Sequence, residues 1–486
     1  MRFLVLDAGT SSVRASLIDG PTDRGTAEVV TEHARPQLPS SPADGLVEFD
    51  AAAMAAAALD AAGEALDTGG PVEAMAVVNQ RGSAVVWDSR TGHPVAPGLG
   101  WQDLRTVGRC LELKAEGIDL APNQTATKIE ALLAGTGTAD TDPLLAGTVD
   151  TWLVWNLTRG EHHVTDATNA AVTGLLADSG SAWDESRLAT FGIPGHLMAE
   201  VVDTTGVVGH AAALPGAPPI AGIAGDQQAS LVGQGCVAPG DAKITFGTGA
   251  MLDVVVGAER PSQGVTASGG YPIVAWRKDG VDMWGLEAIM LAAGTNVEWL
   301  RDGLGLLADV ADSATVAAEC DDTGDVFYVP ALLGLGTPYW DFGARGTFVG
   351  LTRGTGKPEV VRAVLEGVAH RAADLVDAAT DSGLAIDALR IDGGMAENDV
   401  FGQAVADATE RPVEVAPVRE ATSLGGAFLA GLASGAWTDI GELAATWSPR
   451  ARFEPRGESR RDRWKEAVGR AGGWHPALSE LDLRPR

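Results

Sequence analysis

Four short stretches carry the residue types that phosphate and alcohol chemistry need. Asp7-Ala8-Gly9-Thr10-Ser11-Ser12 offers backbone amides, three hydroxyls and a carboxylate, with Arg14 just beyond. Glycine lets a ligand approach the main chain, and amides and hydroxyls can donate to phosphate oxygens. The Asp7 carboxylate could hold a divalent cation through water, and Arg14 could reach outer phosphate oxygens. Gly247-Thr248-Gly249 repeats this chemistry, so two such turns from two domains would clamp a polyphosphate. The stretch Leu389 to Asn398 reads as a strand that ends in Gly393-Gly394 before a helix, where an adenine or ribose commonly lies. Its plain alternative is a tight turn with Asn398 on the helix surface. Asp226 ends the apolar run Ala221 to Gly225. A carboxylate there can act as general base on a hydroxyl or as a helix N-cap, and the two roles are compatible.

Two further clusters could hydrogen-bond a polyol: Asn79-Gln80-Arg81-Gly82 and Trp101-Gln102-Asp103, each at a strand end. An ion pair for Arg81 and a core position for Trp101 are the plain alternatives. His162-His163 has no neighbouring ligand at metal spacing and reads as surface. Neither G-x-x-x-x-G-K-[ST] nor a G-x-G-x-x-G after the first strand occurs, which weakens a dinucleotide oxidoreductase.

These groups need a scaffold of sheets. The chain has 486 residues, too many for one core, so two or three domains are expected. Phe3 to Asp7 and Val13 to Ile18 flank the first turn as strands. An Ala-rich helix from about Asp50 to Leu66 and a buried strand Ala74 to Val78 follow, the traffic of an α/β protein. Asp241 to Phe246 and Met251 to Val256 flank the second turn in the same way. This repetition predicts a duplicated fold, divided into domains 1–235 and 236–486, with a peripheral helix in the Arg-rich tail after Arg450. Sixty-five acidic against 35 basic residues give a net charge of −30. That field repels nucleic acid and anionic lipid, so neither is an expected partner. No apolar run is long enough for a membrane span. Cys110, Cys236 and Cys320 are widely spaced and odd in number, and the chain opens without a signal-peptide pattern. A cytoplasmic protein is expected.

Together these residues resemble the FGGY family of carbohydrate kinases, from Phe3 to about Trp437. The most specific matches are Gly346-Thr347-Phe348-Val349-Gly350-Leu351 with Glu359 to Glu366, the run Gly147 to Thr158, and the run Tyr328 to Asp341. The resemblance implies two actin-like, ribonuclease-H-like domains with mixed central sheets and an ATP and substrate cleft between them. It implies ATP and Mg²⁺ as cofactors and a homo-oligomer, dimer or tetramer. By the same likeness Asp226 is the catalytic base. Asp7 and Asp226 bear on the metal. Thr10, Ser11, Ser12, Arg14, Thr248 and Gly249 serve the phosphates, and Gly294, Gly394 and Asn398 the adenosine. Arg81, Gly82, Trp101, Asn123, Asp226, Gln227 and Met251 fall at the acceptor. Members that act on glycerol read Glu where this chain has Gly82, Tyr where it has Asn123, and Phe where it has Met251; the family's first signature also has Trp where Ala131 stands. Glycerol is the leading single acceptor expected. A four- or five-carbon polyol or ketose is the alternative, because those lost contacts open space and remove acceptors. An actin-like ATPase and a non-catalytic sensor are the readings outside this class. Control by fructose bisphosphate is not expected, because the Gly-Thr-Arg of that loop is missing before Ala221.

Overall fold

The computed structural model describes residues 1–20, 27–137, 140–262, 268–418 and 421–481. The chain forms two compact units. Unit 1 comprises Met1–Val237, Ile273–Trp284 and Glu420–Trp447; unit 2 comprises Ala238–Pro272, Gly285–Arg419 and Ser448–Arg486. Among the described residues no helix is long and apolar enough to cross a membrane.

Unit 1 is built on a six-stranded sheet of β1 (Arg2–Ala8), β2 (Ser12–Asp19), β3 (Glu28–Pro36), β4 (Ala74–Asn79), β5 (Thr205–His210) and β6 (Pro219–Gly225). Their spatial order is β5-β6-β4-β1-β2-β3. β1, β4 and β6 are mutually parallel, and β2, β3 and β5 add antiparallel. β1 and β4 are buried almost throughout, as parallel strands covered on both faces must be. Side chains alternate between the faces. Leu4 and Leu6 pack with the Ala-rich helix Ala51–Gly69. Phe3 and Val5 lie on the side of the helix Ala421–Ser434, whose Gly431 and Gly426 leave room for them. The first helix starts where Asp50 accepts from the Ala53 amide at 2.9 Å, a capping bond that satisfies a free donor. The helix Ala421–Ser434 lies against Asp226–Gly233 so closely that a Cβ at Gly233 or Gly425 would collide with the opposing main chain.

Unit 2 carries the strands β7 (Ala242–Phe246) and β8 (Ala250–Gly257), the later part of β10 (Val281–Met290), β11 (Leu389–Asp392), β12 (Val413–Val415) and β13 (Ala451–Phe453), ordered β10-β8-β7-β11-β12-β13, whereas β9 (Tyr271–Lys278) falls largely in the Ile273–Trp284 segment of unit 1. β7 pairs antiparallel with β8 and parallel with β11, β11 pairs parallel with β12, and β12 antiparallel with β13. The spatial runs β2-β1-β4-β6-β5 and β8-β7-β11-β12-β13 match in order and in the sense of every pairing. The fold is thus duplicated, as the two hairpins led one to expect, and actin-like, as the family resemblance implied. The helix Lys357–Asp381 supplies much of the second core, and Phe246 meets Phe401 edge to face at 4.8 Å.

Two details differ from expectation. The tail helix Arg461–Ala471 is not merely peripheral: Trp464 is fully buried and its indole donates to both Asp374 oxygens at 3.1 Å. His163 is not surface either. It sits edge-on to Trp87 and Trp155, Nε2 lies 3.2 Å from the Ala146 carbonyl, and burial pulls its pKa down to about 4.

Candidate active site

Three adjacent parallel strands of unit 1 end abreast, with Ala8 opposite Asn79 and Asn79 opposite Gly225. Ligands of open α/β sheets gather at such carboxyl ends. Here the strand ends deliver Asp7 and the Gly9–Ser12 turn, Gln80 and Arg81, and Asp226. Gly9 closes the turn by donating to the Ser12 carbonyl at 2.9 Å. Asp7 is buried and held by Arg14 Nη2 at 2.8 Å. Burial pushes its carboxyl up to about 6 against the pull of Arg14, and the charge of Asp226 pushes the same way. The Asp226 charge thus adds to the cost of ionising Asp7.

Asp226 is not a helix N-cap. Gly225 takes that place, and Asp226 is the first helical residue, its Oδ1 accepting from the Gln227 amide at 2.8 Å. Its side chain keeps 30% of its exposure, while Arg81, at 11%, brings Nε to 3.6 Å from Asp226 Oδ1. The ion-pair and acceptor-site readings of Arg81 are therefore compatible. Beneath Asp226 lies a buried polar network that spacing alone did not reveal. Gly225 N–H donates to Thr168 Oγ1 at 2.9 Å, and that hydroxyl donates to Asp166 at 2.9 Å. Asp166 also accepts from Asn169 and Thr204, and Asn169 exchanges amide bonds with Asn79 at 2.9 and 3.1 Å. The available signal was the run Thr165-Asp166-Ala167-Thr168-Asn169, too polar for the buried segment that it forms.

Trp101 is neither simple core nor remote. Its indole donates to Thr10 Oγ1 at 3.1 Å, and Thr10 in turn lies 3.4 Å from Gln80 Oε1. The Trp101 amide is fixed by Ser83 Oγ at 3.0 Å. Gly82 has φ +72°, and a Cβ there would strike the Asn123 carbonyl oxygen. Gly82 and Asn123 are thus one fitted contact rather than two separate losses.

In unit 2, the Gly247–Gly249 turn meets the start of the helix Gly294–Asp302. Gly294 N–H donates to the Gly247 carbonyl at 2.9 Å and Ala293 N–H to that of Thr248 at 2.8 Å. Thr248 is exposed, Gly249 packs on the Met290 carbonyl, and Met251, the second residue of the returning strand, lies opposite Thr245. Gly393, at φ +88°, lies against the main chain of Phe246, the residue before that turn. Asn398 is a helix N-cap, accepting from Val400 and Phe401 and donating to Ser313 at 3.2 Å.

A duplicated actin-like fold with phosphate-type turns and a strand-end carboxylate beside an arginine defines an ATP-dependent phosphotransferase. The chain belongs to the FGGY family of carbohydrate kinases: the N-terminal domain model matches residues 2–233 and the C-terminal domain model residues 242–434. Glycerol kinase of Halorhodospira halophila is 43% identical over 498 residues, covering 97% of this chain and 96% of its own length. Glycerol kinase of Aromatoleum aromaticum is 41% identical, covering 97% and 99%. The structure of Plasmodium falciparum glycerol kinase with ADP superposes with a TM-score of 0.88 at 27% identity, covering 97% of this chain and 98% of that one. Membership of the family brings ATP and a divalent metal with it.

Proposed function

We propose that this kinase transfers the γ-phosphoryl group of ATP to a primary hydroxyl of glycerol, giving glycerol 3-phosphate. The observation that carries the chemistry is Asp226, partly exposed just past a strand end, with Arg81 at 3.6 Å and Asp7 electrostatically coupled to it. The choice of glycerol is supported by relatives of that name at 41–43% identity over nearly the whole chain. These relatives do not favour the four- or five-carbon alternative.

In this reading Asp226 takes the proton of the attacking hydroxyl, and Arg81 orients both the carboxylate and the acceptor. Trp101 and Asn123 wall the acceptor, with Gln227 beside the base. In unit 1 Thr10, Ser11, Ser12 and Arg14 meet phosphate oxygens. In unit 2 Thr248 and Gly249 suit phosphate oxygens, and Gly294, Gly394 and Asn398 suit an adenosine. Asp7 and Asp226 suit Mg²⁺ held largely through water: among the described residues no group of three or more His, Cys, Asp or Glu forms a closed metal cage, and two carboxylates are what a phosphate-bound Mg²⁺ uses. When bound, the metal neutralises charge on the transferring phosphoryl oxygens.

The test is ADP release with ATP and Mg²⁺ against glycerol, erythritol, the pentitols, xylulose, ribulose and gluconate. Glycerol is expected to give the highest kcat/KM. A longer acceptor ahead by about tenfold, roughly 1.4 kcal/mol in the transition state, overturns the assignment.

A further inference from the structure

The turn that carries Asn123 is held by a side chain to which the proposed chemistry gives no part. Lys128 is fully buried, and its ammonium donates to the carbonyls of Pro122 at 2.7 Å and Gln124 at 2.9 Å. The intervening carbonyl, that of Asn123, stands where a Cβ of residue 82 would be. Gln124 tightens the same turn, its Oε1 accepting from the Ala121 amide at 2.9 Å and its own amide donating to the Ala121 carbonyl at 3.0 Å.

A buried ammonium that meets carbonyls rather than a carboxylate is costly. Burial lowers the Lys128 amine to about 7, opposed mainly by the charge of Asp103. An apolar chain would fill that volume without this cost, so what lysine adds is a pair of directed donors. The contact they enforce is exclusive. The loop fits only because residue 82 lacks a side chain, and no side chain can return at 82 while the loop stays. Trp101 closes the same spot, its Cβ 3.5 Å from the position a Gly82 Cβ would take.

We propose that Lys128 is a positioning residue for acceptor selection: by fixing the Pro122 and Gln124 carbonyls it sets the Asn123 main chain against Gly82 and so sets the width of the acceptor site beside Trp101. The proposal rests on the acceptor site assigned above.

The experiment compares wild type with Lys128→Met, Lys128→Arg, Gly82→Ala and the Lys128→Met/Gly82→Ala double variant. It measures KM for ATP and for glycerol, and the glycerol-to-erythritol ratio of kcat/KM. Lys128→Met and Gly82→Ala are each expected to raise the glycerol KM about tenfold and to erode the preference for glycerol as much. The KM for ATP should stay within about twofold. The double variant should be no worse than the worse single one, because both displace the same loop. Lys128→Arg, which keeps the donors, should recover part of the preference. Unchanged glycerol KM and preference in both single variants, or parallel loss of both KM values with thermal stability, overturns the proposal alone. A wild type that transfers to no polyol overturns the acceptor assignment, and this proposal with it.

Discussion

The amide of Gly225 donates to Thr168 Oγ1 at 2.9 Å, one residue before Asp226, and the same hydroxyl donates its only proton to Asp166. The main chain that carries the proposed base is therefore tied to a buried carboxylate through one threonine. Thr168→Val removes both bonds while keeping the shape. A lost buried hydrogen bond costs about 1–1.5 kcal/mol, so kcat is expected to fall about tenfold with little change in the KM for ATP. Thr168→Ser should restore it. Steady-state kinetics of the two variants check this.

Asp226→Asn keeps size and removes the base. General-base catalysis contributes about 10²–10⁴-fold, and kcat should fall by that order. ATP binding, followed by calorimetry, should change little. A variant within tenfold of wild type would exclude Asp226 as the base.

Asp150 gives a stability test. Burial, and then the charge of Asp166, push its carboxyl up to about 7, although Thr148, Thr165 and the Asp166 amide donate to it. Its ordinary value is 3.8, so between pH 4 and 7 the folded state holds more protons than the unfolded one. Stability from this group therefore falls as pH rises through that window, by at most about 1.4 kcal/mol per pH unit. Melting curves of wild type and Asp150→Asn should diverge in slope there, the variant being flatter.

Neighbouring glycines of unit 2 should behave differently. A Cβ at Gly393 would meet the Phe246 carbonyl carbon at 2.7 Å and its nitrogen at 2.9 Å, in a backbone region that already disfavours side chains. Gly393→Ala should destabilise the fold by roughly 1–3 kcal/mol or more, seen as a lower melting temperature. A Cβ at Gly394 meets nothing within 4 Å. Gly394→Ala should leave melting unchanged yet raise the KM for ATP several-fold if adenosine lies there. Equal ATP binding would return this position to a plain turn.

The strands of unit 1 were legible because Phe3 to Asp7 and Ala74 to Val78 are apolar runs bounded by turn residues, and the second hairpin repeats the first. Asp226 and Arg81 were legible as polar residues at the ends of such runs. The fit of Gly82 to Asn123 was not, since it joins residues from separate loops and depends on a carbonyl, which no side-chain pattern encodes. Thr168 and Lys128 stayed hidden for a similar reason: each acts through main-chain atoms. The helix Ala421–Ser434 gave little sign of its partner, because Gly425, Gly426 and Gly431 promote close approach without an apolar periodicity.

That helix also has a consequence for how the protein is made. Unit 1 takes its last segment, Glu420–Trp447, from beyond most of unit 2 in the chain. On the ribosome the side of the first sheet bearing Phe3 and Val5 lacks its covering helix until Ala421–Ser434 has emerged. The nascent chain must carry an exposed apolar sheet surface through most of synthesis, the state in which partly folded chains associate wrongly. A fragment cut after Val237 inherits the same bare surface, so the first unit should not be recoverable as an autonomous soluble piece.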